Sequence, residues 1–410
     1  MLRSLAGIWR ILAATWPALL AWYIAGSLVR ASIIAIAAPI GPENPLGALL
    51  LVPVAVLARL VSYIGMFLVL RRALVGYRAL AGGDVEFASV RDGVSEFTRV
   101  LLASVGPFFT LYAVIGLLSQ DLSEYARAAF RYAFGSDTRG FEVGASPLAL
   151  AVLVICLVLR YILKALAPRL PGWVAIVEIY LEATWVFVAL TAINSLFGPV
   201  TEWINNRQFM HWGQDAREFL SGLWAPIRIV FEGIDWLTPV ALQLILLPLA
   251  WLLVACIVYL RALGNVVEDA KALPSRIGSR FASGATRLPP LLKRYEHLLT
   301  ESWDEVGQPL LFSARVIRRV GIADMMIFLT AYGVLFAIGQ WSSRLIYLAM
   351  GPHDSAYWWI ADAGVSALLS AVVEPVRIVL LAAAFDYCLR RFSESGMQRL
   401  ETPVSAPVRT

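Results

Sequence analysis

Charge is scarce in this sequence. Only 15 % of its 410 residues are Asp, Glu, Lys or Arg, whereas 59 % are hydrophobic. A water-soluble domain cannot cover so large a hydrophobic fraction with so few charged side chains. The shortage of charge therefore excludes an ordinary soluble globular protein, and the mean hydropathy of +0.72 indicates a membrane protein.

Short segments in which hydrophobic and polar residues alternate are also lacking, so the strands of an outer-membrane barrel are not expected. Hydrophobic runs of roughly 20 residues are present instead, and each is long enough to cross a bilayer as a helix. We predict an all-α, polytopic transmembrane helical bundle of about eight spans. The predicted spans cover residues about 11 to 38, 47 to 70, 98 to 119, 147 to 166, 174 to 197, 237 to 260, 321 to 349 and 364 to 388.

Basic residues are missing from two of the predicted loops, residues 40 to 46 and 350 to 363. Five Arg lie in residues 71 to 100, and ten Lys and Arg lie in residues 261 to 320. Because basic loops are retained in the cytoplasm during membrane insertion, the sequence predicts that both termini are cytoplasmic.

Lys and Cys are scarce as well. The chain has 31 Arg but three Lys, a balance typical of a GC-rich bacterial genome, and its basic residues are too dispersed to predict nucleic-acid binding. Its three cysteines, Cys156, Cys256 and Cys388, fall in predicted spans, where we expect them to pack as small apolar residues without disulfides.

Similar phrases end the second, fourth, sixth and eighth predicted spans: FLVLRRAL, CLVLRYILKAL, CIVYLRAL and YCLRRF. One interpretation is a helical hairpin repeated along the chain. The other is that any helix leaving the membrane on the cytoplasmic side ends in aliphatic residues and Arg. The sequence leaves both interpretations open.

The chain divides into four segments. We predict a membrane bundle of six spans in residues 1 to 260, a basic cytoplasmic connecting segment in 261 to 320, two further spans in 321 to 390 and a disordered tail in 391 to 410. The connecting segment contains apolar residues at spacings of three and four, which predicts one amphipathic helix. Its apolar stripe is expected to cover the membrane surface, the bundle itself or a partner protein. This candidate partner-binding helix presents Leu291, Leu292, Tyr295, Leu298, Leu299, Trp303 and Val306.

The outer loops contain aromatic residues interleaved with charges. Residues 203 to 236 predict one or two amphipathic helices in the headgroup layer, and residues 123 to 134 show the same pattern. The alternative is an aromatic platform for a substrate, such as sugar-binding proteins use. The first span carries Arg30 near its outer end, so we expect the helix to bend or stop there.

Catalytic motifs are lacking, since the sequence contains no HExxH, no GxSxG and no P-loop. Its histidines, His211, His297 and His353, fall in three different predicted loops on both sides of the membrane. We therefore predict no catalytic residue, no cofactor and no metal site, and we do not expect an enzyme. A weaker hypothesis is an envelope enzyme that uses acids of the outer loops, among them Asp121 and Glu124.

Polar residues inside predicted spans are the candidate functional site. A charge at the bilayer centre costs about 2.5 to 3.5 kcal/mol or more, so these side chains must be paired or hydrated. Two cations and three acids leave a formal surplus of one negative charge, which a proton or a cation could neutralise. The candidate intramembrane polar network comprises Arg59, Glu178, Glu182, Asn194, Gln243, Glu374 and Arg377.

The phrase EPVR in the eighth span combines two of these charges with Pro375. Proline cannot donate to the carbonyl one turn earlier, so we expect a kink and assign Pro375 as a candidate hinge. One interpretation is a gate or coupling site in a broken helix. The other is a structural clamp, in which Glu374 and Arg377 pair with each other or hold the eighth span to the second or fifth.

Two functions follow from these interpretations. The first is a permease or channel-like transport component of the bacterial inner membrane, with a route past the charged residues. The alternative is a non-catalytic membrane scaffold or accessory subunit of an envelope complex. The expected partners are the lipid bilayer, a membrane or cytoplasmic protein and, as a homo-oligomer, a second copy of the chain.

Overall fold

The computed structural model describes most of the chain as helix. It covers residues 7–81, 90–114, 116–130, 132, 147–166, 171, 173–223, 225–263, 313–314, 317–318 and 320–401. Within these ranges no β-strand occurs, so the protein is all-helical. The candidate partner-binding helix of residues 291 to 306 lies outside the described residues.

Twelve α-helices longer than one turn occur in the described part. The first six are α1 Ile8–Glu43, α2 Pro45–Leu70, α3 Val75–Ala81, α4 Val90–Val114, α5 Leu117–Phe130 and α6 Pro147–Leu166. The other six are α7 Val174–Asn205, α8 Gln208–Leu223, α9 Ala225–Ala241, α10 Leu247–Leu263, α11 Ile322–Met350 and α12 Ser355–Glu401. A 3₁₀ turn, Arg71–Ala73, follows α2, and a π-helical turn, Leu242–Leu246, joins α9 to α10.

Six candidate membrane-spanning helices are long and apolar enough to cross a bilayer. They are Ile8–Glu43, Leu50–Ala73, Val174–Ile193, Leu244–Leu263, Ile322–Met350 and Ser355–Arg391. Each overlaps one of the eight predicted spans. The fourth predicted span has the same bounds as α6. The apolar part of this helix, Pro147–Leu163, is shorter than the six candidate spans. The number of spans, their orientation and the hairpin repeat stay predictions.

The third predicted span is interrupted. Helix α4 ends at Val114, and α5 begins at Leu117. Between them Gly116 has φ of +83°, a conformation that side chains other than glycine rarely adopt. The chain therefore leaves the α4 helix inside residues 98 to 119, where the hydropathy pattern indicated one continuous span.

The first predicted span contains no break at Arg30, because α1 is one helix from Ile8 to Glu43. The bend is expected from the length of the span and from the charge near its outer end. Ion pairs to the Arg30 guanidinium supply that charge with partners, so the helix continues through it. In residues 203 to 236 we predict one or two amphipathic helices. The structure has two in this region, α8 and α9.

The chain forms two compact units, which we describe separately. Unit 1 comprises Met1–Ile24, Ser62–Pro107 and Trp251–Thr410. Its core contains a buried aromatic cluster around Tyr259 of α10, which stacks on Phe385 of α12 with ring centroids 4.7 Å apart. Cys256 and Cys388 are buried in the same unit as free thiols.

Unit 1 also contains a hydrogen-bonded tie between α3 and α12. The backbone amides of Gly76 and Tyr77 donate to Oδ1 of Asp386 at 2.7 and 3.2 Å. Because helix N-termini leave amides without intrahelical partners, the buried Asp386 carboxylate satisfies the start of α3. The hydroxyl of Tyr387 donates to Oδ2 of Asp324 at 2.6 Å and links α12 to α11 in the same way.

Unit 2 comprises Ala25–Val61 and Phe108–Ala250. Helices α6 and α7 pack against each other, and Cys156 of α6 is buried as a free thiol. The hydroxyl of Tyr180 on α7 donates to the backbone carbonyl of Leu50 on α2 at 3.0 Å. Phe108 and Tyr112 of α4 stack with ring centroids 5.2 Å apart and form the aromatic part of this core.

Candidate functional site

The residues of the predicted polar network are distributed over both units of the described structure. Arg59, Glu178 and Glu182 belong to unit 2, whereas Glu374 and Arg377 belong to unit 1. Three separate clusters contain four of these five residues, and Glu178 stands apart. Asn194 and Gln243 lie on helical backbone, but their side chains are outside the described part of the structure.

The Arg59 cluster consists of Arg30, Arg59, Tyr112, Asp121 and Glu124, all in unit 2. Arg30 Nη2 donates to Oδ1 of Asp121 and to Oε2 of Glu124, each at 2.5 Å. Arg59 Nη1 donates to the Tyr112 hydroxyl at 2.7 Å and to Oδ1 of Asp121 at 3.1 Å. The Tyr112 hydroxyl in turn donates to the second oxygen of Asp121.

This arrangement makes Asp121 the centre of the Arg59 cluster. Its side chain is 2 % exposed, whereas those of Arg30 and Arg59 are 14 % and 21 % exposed. Two arginines and two carboxylates give the cluster no formal net charge. It connects α1, α2, α4 and α5 within unit 2, which is how buried charges fix helix packing. Because Asp121 falls in a predicted outer loop, its contact with Arg59 is not expected from the sequence.

The Glu182 cluster lies between α6 and α7. Arg160 pairs with Oε2 of Glu182, and the Trp185 indole nitrogen donates to the same oxygen at 3.0 Å. The Arg160 guanidinium also lies 5.9 Å from the centroid of the Trp185 ring. Sequence reasoning placed Arg160 at the cytoplasmic edge of its span and did not identify it as the partner of Glu182.

The EPVR cluster consists of Tyr63, Trp251, Glu374 and Arg377 in unit 1. Arg377 pairs with Glu374 one turn earlier on α12. Arg377 Nη2 also donates to the Tyr63 hydroxyl of α2 at 3.2 Å, and that hydroxyl donates to Oε2 of Glu374 at 3.5 Å. These contacts join the eighth predicted span to the second, one of the two arrangements expected for a clamp.

An aromatic side chain covers the cation of the EPVR cluster. The Arg377 guanidinium carbon lies 4.5 Å from the centroid of the Trp251 ring on α10, a cation–π distance. Trp251 also meets Tyr63 edge to face, with centroids 5.0 Å apart. Helix α12 continues through the buried Pro375, so its role as a hinge stays a prediction.

Glu178 differs from the other carboxylates of the predicted network. It lies one turn before Glu182 on α7 and is partly exposed. Within the described residues no hydrogen bond or ion pair involves its carboxylate. The single negative charge left over in the sequence is therefore assigned to Glu178, since the other four network charges have partners.

Metal-ligand chemistry receives no support from the described residues. No group of three or more His, Cys, Asp or Glu side chains in this part of the chain is placed to hold a metal ion. The carboxylates that do cluster are occupied by arginine guanidinium groups. The arrangement can neutralise and orient charge between helices, and it offers no nucleophile with a general base.

The described residues are helical, and their six long apolar helices are compatible with a membrane protein. Comparison with protein-family models, with curated protein sequences and with solved structures finds no match for the chain.

Proposed function

We propose that the protein is a non-catalytic scaffold or accessory subunit of the bacterial inner membrane, in which buried charges fix the packing of the helices. The observation that supports this proposal is the pairing of the arginines. Arg30, Arg59, Arg160 and Arg377 each bind a carboxylate in the interior of their own unit.

Pairing favours a scaffold over a transporter, because a carboxylate that an arginine holds is not available to bind a transported ion. A proton or cation site needs a carboxylate whose charge can be exchanged during the cycle. In the EPVR and Glu182 clusters an arginine already neutralises the carboxylate, and aromatic side chains cover the pair. Removing one partner would leave a part-buried charge uncompensated, which costs up to about 3 to 5 kcal/mol where the charge is fully buried.

The first experiment separates a clamp from a transport site at Glu374. Glu374→Gln keeps the shape of the side chain but leaves Arg377 without its counter-charge. We expect this variant to lower the melting temperature of the purified protein in detergent, and we expect proteoliposomes of the wild type to conduct no more protons than empty vesicles. Wild-type flux that Glu374→Gln abolishes at an unchanged melting temperature would overturn the proposal.

A second experiment measures access of water to the EPVR turn. Val373 packs against Gly339 of α11, where an added Cβ would lie 3.7 Å from Val373, and Val376 lines an apolar cavity beside Trp9 and Trp16. In a chain whose three native cysteines are replaced by Ala, we expect cysteines at these two valines to resist a charged thiol reagent in intact cells and in inverted vesicles. Labelling from either side would contradict a sealed clamp.

A permease or channel-like component is the second proposal, and Glu178 is the observation that favours it. A carboxylate without a cationic partner in the described residues is suited to bind a proton or a cation. Glu178→Gln would then abolish flux while preserving stability, because no guanidinium loses its partner. Glu182→Gln is the matched variant, since it leaves Arg160 unpaired and should lower stability instead.

A further inference from the structure

An open groove in unit 1 has one polar end and apolar walls. It encloses about 1070 Å³ between the first part of α1, the end of α2 and the start of α4. Ala14, Ala18, Leu68 and Val69 form the walls. Thr15 adds no free polar group to them, because its hydroxyl donates to the carbonyl of Ile11 at 2.7 Å.

The polar end lies at the turn that follows α2. Arg71 is 2 % exposed, and its Nη1 lies 2.6 Å from Oε1 of Glu96, so its charge is neutralised within the protein. Arg72 beside it is exposed, and no described residue forms a hydrogen bond or ion pair with it. Among the described residues that line the groove, Arg72 is therefore the one cation that is not neutralised within the protein.

The other end contains a stacked aromatic pair. The Trp22 and Phe97 rings lie 5.7 Å apart at an interplanar angle of 16°, and the Trp22 ring lies directly over Gly65. A Cβ at Gly65 would lie 2.5 Å from the Trp22 ring, so a larger residue would displace the indole. From Gly65 to Arg72 the groove follows seven residues of chain, or about 10 Å of helix.

These features match the chemistry of an amphiphile with an anionic head. An apolar wall about 10 Å long suits part of an acyl chain, and a cation at its end suits a phosphate. The predicted orientation puts Arg72 at the cytoplasmic surface, where anionic lipids are concentrated and basic pockets between helices bind their headgroups. A zwitterionic lipid would gain less binding free energy, because its own positive group would lie near Arg72.

We infer that this groove binds one anionic phospholipid, with its phosphate at Arg72 and an acyl chain along Ala14, Ala18 and Val69 toward Trp22. The inference uses residues outside all three charged clusters, so it does not depend on whether the protein is a scaffold or a permease. Arg71 acts as a positioning residue, since its ion pair with Glu96 holds the turn that carries Arg72.

The test is native mass spectrometry of the full chain in detergent, with phosphatidylglycerol or phosphatidylcholine added at equal concentration. We expect the wild type to retain one phosphatidylglycerol in preference to phosphatidylcholine. Arg72→Gln should lower that retention about fivefold, the effect of losing one cation near a lipid headgroup. Ala18→Trp fills the groove and leaves Arg72 in place. This variant should also lower the retention of phosphatidylglycerol.

Arg99→Gln is the matched control, because Arg99 is an exposed arginine of α4 in the same unit and does not line the groove. Lipid retention is compared only among variants that keep the wild-type melting temperature. Equal retention of the two lipids, or equal losses in Arg72→Gln and Arg99→Gln, would overturn the inference. Displacement of the lipid by inorganic phosphate alone would also overturn it, since the site would then recognise phosphate without the acyl chain.

Discussion

Arg30 and Arg59 lie on the consecutive helices α1 and α2, and both donate to one oxygen, Oδ1 of Asp121, at 2.5 and 3.1 Å. Because both guanidinium groups contact the same oxygen atom, they lie close enough to repel each other without the carboxylate between them. Asp121 is therefore the residue whose charge allows the two arginines to approach.

Asp121→Asn is expected to destabilise the protein by about 3 to 5 kcal/mol, because it removes the charge that compensates two partly buried arginines. Thermal unfolding of the purified variant in detergent measures the loss. Glu124→Gln is the control, since the Glu124 side chain is 31 % exposed, and we expect it to cost less than about 1 kcal/mol. Equal losses in the two variants would contradict the central role of Asp121.

The pair of Arg160 and Glu182 can be tested by exchanging the two residues. Arg160→Glu and Glu182→Arg should each lower the melting temperature, because each places two like charges between α6 and α7. The double variant restores opposite charges and should recover most of the stability. The coupling free energy from this double-mutant cycle should be about 1 to 3 kcal/mol. Additive losses would show that the pair contributes nothing to packing.

Much of the helical organisation was predictable from hydropathy, because a membrane-spanning run is a local property of the sequence. The candidate spans Ile322–Met350 and Ser355–Arg391 each overlap a predicted span, and α6 has the predicted bounds of residues 147 to 166. The turn at Gly116 was not predictable in the same way. A single glycine in an apolar stretch is a weak signal, and only its positive φ shows that the helix ends there.

The candidate site was predictable as a set of residues but not as a set of contacts. Charges inside apolar runs are visible in the sequence, which is why Arg59, Glu182 and Glu374 were identified. Their partners depend on which helices meet, so Asp121 was assigned to an outer loop and Arg160 to a span edge. Only Glu374 and Arg377, one turn apart on one helix, form a pair that local spacing could predict.

Gly76 lies where α3 packs closely against α12. A Cβ at this position would lie 2.7 Å from Cγ of Arg390, 3.0 Å from Oδ1 of Asp386 and 3.2 Å from the Asp386 carbonyl oxygen. The arginine side chain can move, but the backbone carbonyl cannot do so without shifting α12. We expect Gly76→Ala to destabilise the protein by about 1 to 3 kcal/mol, measured by thermal unfolding.

Gly233→Ala is the matched control for Gly76→Ala. Gly233 lies within α9, and an added Cβ would meet no atom within 4 Å. Alanine favours a helix over glycine by about 0.5 to 1 kcal/mol, so this variant should be neutral or slightly more stable. A loss at Gly233 equal to that at Gly76 would show that the close approach to α12 is not the cause.

The ion pair of Arg217 on α8 and Asp235 on α9 predicts a pH dependence outside the spans. Arg217 Nη1 donates to Oδ1 of Asp235 at 3.2 Å, and a second hydrogen bond joins the other nitrogen and oxygen. These hydrogen bonds lower the pKa of Asp235 below its ordinary value of 3.8. A carboxylate whose pKa is lower in the folded state stabilises that state above the ordinary pKa, and this stabilisation is lost as the pH falls through the lowered pKa.

The measurement is the difference in melting temperature between the wild type and Arg217→Gln at pH 6 and at pH 3. We expect the wild type to be the more stable at the higher pH, and the difference to shrink at the lower pH as Asp235 becomes protonated. Both side chains are exposed, so the difference should also decrease in high salt. Arg228→Gln on α9 removes a charge from the longer pair with Glu232, at 3.6 Å, and controls for the loss of one exposed cation. A difference that stays constant between pH 6 and pH 3 would mean that the Arg217 side chain acts through packing and that the bidentate pair does not couple α8 to α9.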